Sequence, residues 1–220
     1  MGKFLRFIGI LFMSLTAAFT VLGGVGTTCV ALGAEKYDTM AGIVPFKWLY
    51  VLYVIVTLAI GIMGIRAVIL LIKGRANAYR YSMIALIAGI IVGAIHMATS
   101  RALRGSSMPV DAVVYTTVLT FIIFLIFKIP GVWAKVDFTK AKGNAKDVGG
   151  GLAAIVMGGL ALSIQLWMAP THTLSGINYG DAFHTPMLLI GWALVLMGIS
   201  LLARAVWKPA LIANPALAST

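Results

Sequence analysis

Carboxylates are scarce in this chain. Six Asp and Glu occur in 220 residues, against seventeen Lys and Arg. None of the six falls inside an apolar run, and Asp111 stands only at the edge of one. Proton- and cation-coupled pumps and antiporters commonly need a buried carboxylate, so the shortage speaks against them. An ion held by backbone carbonyls at a broken helix stays open. Cysteine is almost missing too. Cys29 is the only one, which excludes an intramolecular disulfide and any Cys-x-x-Cys metal or redox motif. The chain also lacks a Walker loop, a Gly-x-Gly-x-x-Gly leading into a helix, a His-Glu-x-x-His and a Gly-x-Ser-x-Gly. These absences lean away from an enzyme.

What is present is apolar. Hydrophobic residues make up 61% of the chain and charged residues 10%, with a mean hydropathy of +1.02. Soluble domains average about 45–50% apolar and about 25% charged. A water-soluble fold could not hide this much apolar surface, so lipid is the expected solvent.

A helix of about 20 apolar residues crosses the hydrocarbon core. Six runs qualify, at about 7–32, 48–71, 81–98, 112–129, 150–168 and 187–206. The predicted fold is all-α: a polytopic membrane protein of six transmembrane helices with short loops, forming a single membrane domain over 1–220. The first run follows Lys3 and Arg6 like a secretory leader, but its apolar core far exceeds the typical 7–15 residues of one. It reads as an uncleaved span. Trp48, Tyr50 and Tyr53 read as an aromatic belt at the start of the second span. Arg66 lies inside that span near its far end, where its stem can snorkel toward headgroups. Trp133, Val136 and Phe138 alternate with lysines between the fourth and fifth spans and read as an interfacial segment.

The net charge of +11 invites a nucleic-acid reading, but the basic residues collect in alternate loops. With the N-terminus inside, Lys3, Arg6, Lys73, Arg75, Arg80, Lys128, Lys135, Lys140, Lys142, Lys146, Arg204 and Lys208 face inward. Only Lys36, Lys47, Arg101 and Arg104 face outward. That asymmetry fixes orientation in a membrane. It places both termini inside, in a bacterial or archaeal cytoplasmic membrane, with no nucleic-acid partner.

Two features are candidates for function. The first is an outer-face set: Cys29, His96, Gln165, His172, Asp181 and His184. Imidazole, thiolate and carboxylate together can bind Zn or Cu, and His96 near a helix end could ligate haem iron. Equally, a lone histidine at a span end can simply hydrogen-bond a carbonyl. The second is a set of small-residue faces: Gly23, Gly24 and Gly26, Gly89 and Gly93, and Gly158 and Gly159. In lipid, small residues let helices approach closely. They can pack this chain's own helices or those of a partner.

The resulting expectation is a non-catalytic integral membrane subunit, without a cofactor, that scaffolds or stabilises a larger assembly or a homo-oligomer. Its partners are the lipid bilayer and other membrane subunits or itself. The alternatives are a redox or metal/haem-binding membrane protein with an outer-face histidine site, and a small-molecule or lipid transporter.

Overall fold

The computed structural model describes residues 2–136, 138, 145–168, 173–174 and 176–213, nearly all of them helical. The chain divides into two compact units, Met1–Ala141 and Lys142–Thr220. Among the described residues, five helices are long and apolar enough to cross a membrane. The protein is all-α and membrane-integral.

The first unit contains α1 (Gly2–Gly33), α2 (Lys47–Lys73), α3 (Ala78–Arg104), α4 (Val110–Phe127) and the short α5 (Pro130–Val136). Helix α1 packs on α2 and α4, and α3 packs on α2 and α4. The result is an antiparallel four-helix bundle. Two tight stops keep its connections short. Gly74 and Gly105 follow α2 and α3 with φ of 64° and 69°, a left-handed conformation that glycine adopts without a Cβ penalty. The Gly105 N–H closes onto the Arg101 carbonyl at 2.9 Å. Helix α3 therefore runs past the predicted limit of 98, and Arg101 and Arg104 ride on its last turn rather than in a loop. The α1–α2 connection is likewise wound, into two 3-10 segments, Ala34–Lys36 and Asp38–Phe46.

Close approach between helices comes from small residues. A Cβ on Gly24 would sit 2.9 Å from Leu58, and one on Gly61 would sit 2.7 Å from Val21. Polar contacts add direction. The Thr16 and Thr120 hydroxyls meet at 2.7 Å across α1 and α4, and Thr120 also reaches the Phe12 carbonyl at 3.3 Å.

The interior differs along its length. At the near end, where α1 begins, the core is apolar: Ile10, Met13, Ala67, Leu71, Leu86, Phe124 and Phe127 are buried together. Segment α5 joins them. Val136 and Phe138 are 3% and 2% exposed, and Trp133 packs edge-on to Tyr79 at 4.8 Å. The sequence reading had these residues facing lipid. Instead their apolar side covers the bundle's own aromatic core, with Lys128 over the Trp133 ring at 4.4 Å. Arg6 is also buried here, donating to the Leu71 and Ile72 carbonyls at 3.0 and 3.4 Å. It thereby meets the negative end of the α2 dipole.

The second unit is an antiparallel pair, α6 (Ala145–Leu162) and α9 (His184–Ala213). Between them lie α7 (Ile164–Met168), a two-residue-turn hairpin of β1 (Thr173–Leu174) and β2 (Ile177–Asn178), and α8 (Tyr179–Ala182). The predicted fifth span does not emerge as one helix. Its helix breaks at Ser163, and the apolar helical part, Asp147–Leu162, is shorter than the roughly 20 residues a span needs. Glycines seven apart on each helix bring α6 and α9 together. A Cβ on Gly158 would meet the Gly191 carbonyl oxygen at 2.7 Å, and one on Gly151 would meet that of Gly198 at 2.8 Å.

Two outcomes follow from this packing. Gly158→Leu forces a side chain into the α9 backbone and should cost about 1–3 kcal/mol as overpacking does, while Gly159→Leu, which faces open space, should be close to neutral. Unfolding midpoints in detergent compare the two, and equal effects would refute the packing. Thr120→Val removes the interhelical hydroxyl and should lower stability by about 0.6 kcal/mol, with about 1.7 as the ceiling seen for such bonds in membranes.

Candidate functional site

The far half of the bundle, where α1 ends, is polar inside. Four helical stripes converge there: Thr16, Thr20, Gly23 and Thr27 on α1; Tyr50, Tyr53 and Thr57 on α2; Gly89, Gly93, His96 and Ser100 on α3; and Val110, Val113 and Thr117 on α4. Spacings of three and four residues put each set on one helix face.

His96 is the centre of this region. It lies eight residues before the end of α3 and is 4% exposed. The sequence reading placed it near a helix end because α3 was expected to stop sooner. Its ring stacks on Tyr53, with centroids 4.2 Å apart and planes 17° apart. Tyr50 meets it edge-on at 5.5 Å. Both tyrosines are in turn fixed by hydroxyls of α3. Tyr50 pairs with Ser100 at 2.9 Å, and Tyr53 pairs with Thr99 at 2.9 Å. Thr99 donates its own proton to the Ile95 carbonyl, so Tyr53 is the donor in that pair. This corrects the aromatic-belt reading: Tyr50 and Tyr53 are 1% and 6% exposed, and only Trp48, at 66%, faces outward.

Neither ring nitrogen of His96 has a hydrogen-bond partner among the described residues. The imidazole borders a cavity of about 20 Å³, shared with Thr20, Thr27, Thr57, Thr117, Gly23, Gly89 and Gly93. That is room for a single water, which needs on the order of 10–15 Å³. Three of the threonines have committed their protons. Thr20 donates to Thr16, Thr27 to Gly23 and Thr117 to Val113, at 2.7, 2.7 and 2.6 Å. Their oxygens therefore offer only acceptor lone pairs to the cavity. Glycine at 23 and 93 lets the helices close in beside it, since a Cβ there would sit 2.8 Å from Val113 or Val114. The near-end core lies to one side of it, and a second buried cluster with Ala31, Ala34 and Ile43 lies toward the far end.

A charged rim lies at the far end of the bundle. Arg101 binds Asp111 at 3.2 Å and the Ser107 hydroxyl at 2.8 Å, and Arg104 donates to the Met108 carbonyl. Lys47 pairs with Glu35 at 3.0 Å.

The candidate set from sequence is divided. Cys29 and His96 belong to the first unit, at the same end, but Cys29 is exposed while His96 is buried. In the second unit Gln165 donates to Asp181 at 2.8 Å, and His184 opens α9, half-buried. His172 lies outside the described residues. Among the described residues, no three His, Cys, Asp or Glu side chains come together as an ion site. Of the glycines, Gly23, Gly24, Gly89, Gly93 and Gly158 pack against this chain's own helices, while Gly26 and Gly159 face open space.

Sequence reasoning missed Tyr50, Tyr53, Thr57 and the α1 threonines. Their helical spacing was the available signal, since a polar stripe on an otherwise apolar span marks its inward face. Chemically, the cavity offers one base and a ring of acceptors, with no carboxylate or thiol beside it. Replacing His96 by Phe keeps the stacked ring and breaks no protein–protein hydrogen bond. The variant should unfold within about 1 kcal/mol of wild type. A loss of about 3 kcal/mol would mean that the imidazole holds a bond essential to the bundle.

Comparison with protein-family models, with characterised proteins and with solved structures finds no match to this chain.

Proposed function

We propose that this chain is a non-catalytic integral membrane subunit that stabilises a larger membrane assembly or a homo-oligomer. The observation that carries the reading is the small polar interior of the first unit. Its buried histidine borders a cavity of water size, lined by threonine and glycine. A cavity of about 20 Å³ has no room for a substrate. Interhelical hydroxyls are bonded to one another or to carbonyls, as befits a structural element. Surface for association is available. Helix α9 exposes Leu189, Trp192, Leu196 and Val206, and Gly26 and Gly159 leave close-approach positions open.

Six spans remain the best reading of the topology. Helix α6 runs antiparallel along α9 through two glycine contacts, so a membrane crossed by α9 is crossed by its partner, with α7 completing the length. The basic-residue asymmetry supports both termini inside a bacterial or archaeal cytoplasmic membrane.

Two measurements test this. Native mass in mild detergent, with subunits identified by mass spectrometry, should give a defined assembly; a free monomer with turnover of its own sinks the proposal. For orientation, Lys36→Cys and Arg75→Cys are each placed in a Cys29→Ala background. A membrane-impermeant maleimide on intact cells should label the first and reach the second only after permeabilisation. The opposite pattern reverses the topology.

A further inference from the structure

Arg66 is a cation in an apolar helix. Seven residues separate it from Lys73 at the end of α2, which places its Cα about 10 Å inside that end. It shares a face with Ile62, Ile65 and Ile69, which are 66%, 47% and 43% exposed, and it is itself exposed. This is a lipid-facing surface. The guanidinium lies over the Tyr81 ring of α3, 5.1 Å from the centroid, in the groove between α2 and α3.

Among the described residues, no acid answers its charge. The ion pairs among the described residues are Lys47–Glu35 and Arg101–Asp111. Both lie at the far end of the bundle, as do Glu35, Asp38 and Asp111, the acids described in the first unit. No hydrogen-bond acceptor among the described residues meets the Arg66 N–H groups. Around the near end of the same groove, Lys73, Arg75 and Arg80 are exposed as well.

We propose that Arg66 and Tyr81 form a binding site for the phosphodiester headgroup of one anionic phospholipid, seated in the α2–α3 groove at the near end. Three physical requirements meet there. A guanidinium surrounded by hydrocarbon needs an anion, and its planar fork matches two phosphate oxygens. Stacking on Tyr81 holds the fork in place before the lipid arrives, and the phenol supplies a further donor. Lys73, Arg75 and Arg80 favour a lipid with net negative charge over a zwitterionic one. The exposed Ile62 and Ile65, deeper along α2 than Arg66, lie where the acyl chains run. The site does not depend on the subunit reading or on which side of the membrane the near end faces.

Native mass spectrometry of the full chain in mild detergent tests it, with phosphatidylglycerol or phosphatidylcholine added in turn. Wild type should retain one phosphatidylglycerol per chain and little phosphatidylcholine. Arg66→Gln should reduce that occupancy at least tenfold and Tyr81→Phe several-fold. Arg66→Lys, which keeps the charge and loses the fork, should fall between wild type and Arg66→Gln. Arg204→Gln, an exposed arginine of the second unit, should retain the lipid as wild type does. Unfolding midpoints confirm that each variant is folded. Equal retention by Arg66→Gln and wild type overturns the site. Equal retention of the two lipids by wild type overturns its preference for an anionic headgroup.

Discussion

Hydrocarbon offers no hydrogen bonds, and each feature of the first unit answers that fact. Helices satisfy their own backbone. Hydroxyls on them are satisfied by bonding back to the preceding turn, as Ser14, Thr20, Thr27, Ser82 and Thr117 do. Where a helix must end inside the protein, something else completes it. Arg6 does this for α2 by reaching from α1 to the Leu71 and Ile72 carbonyls. A residue that reads as a topology signal is also a structural clamp. Removing its side chain would leave the last turn of α2 without that partner in a region where little water is available.

The same constraint explains what could be read from sequence. Apolar length marks a span whatever its neighbours, so the four helices of the bundle and α9 were legible. Which face of a span turns inward was far less so. Lipid tails are as apolar as a protein core, so Leu and Ile carry no sense of direction. Only polar and small residues do. Gly89 and Gly93 were legible for that reason, and they do approach α4. Tyr50 and Tyr53 were misread because tyrosine suits both a headgroup belt and a buried hydroxyl partner. Their partners, Ser100 and Thr99, lie about fifty residues away in the chain. The helix break at Ser163 was not legible at all, since serine commonly sits inside membrane helices without ending them.

The glycine faces bear on association. Five of the seven positions singled out by sequence are occupied by this chain's own helices. Self-packing is therefore their main role, and the surface left outside is mostly large apolar side chains on α2, α3, α4 and α9. The order of strength matters here. A glycine face buried within one chain rigidifies that chain, as the Gly158–Gly191 and Gly151–Gly198 contacts do for the second unit. It presents a firm hairpin, and a firm hairpin loses less conformational freedom when something docks on it.

The first unit is built unevenly, and its unevenness locates its chemistry. The near half is filled by stacked aromatics. Tyr79, Phe124, Phe127, Trp133 and Phe138 form one cluster. In the far half glycine and threonine replace these large side chains. Small residues there permit a void, threonine oxygens make it polar, and His96 can both give and take a hydrogen bond within it. A neutral imidazole has one donor and one acceptor, and the α1 and α4 threonines can supply only acceptors. The acceptor nitrogen must therefore look to the Thr57 hydroxyl or to a water. A void of this size admits one such water. That arrangement ties all four helices to one small polar point in the far half, away from the aromatic core, where a shift of any helix would be felt by the other three.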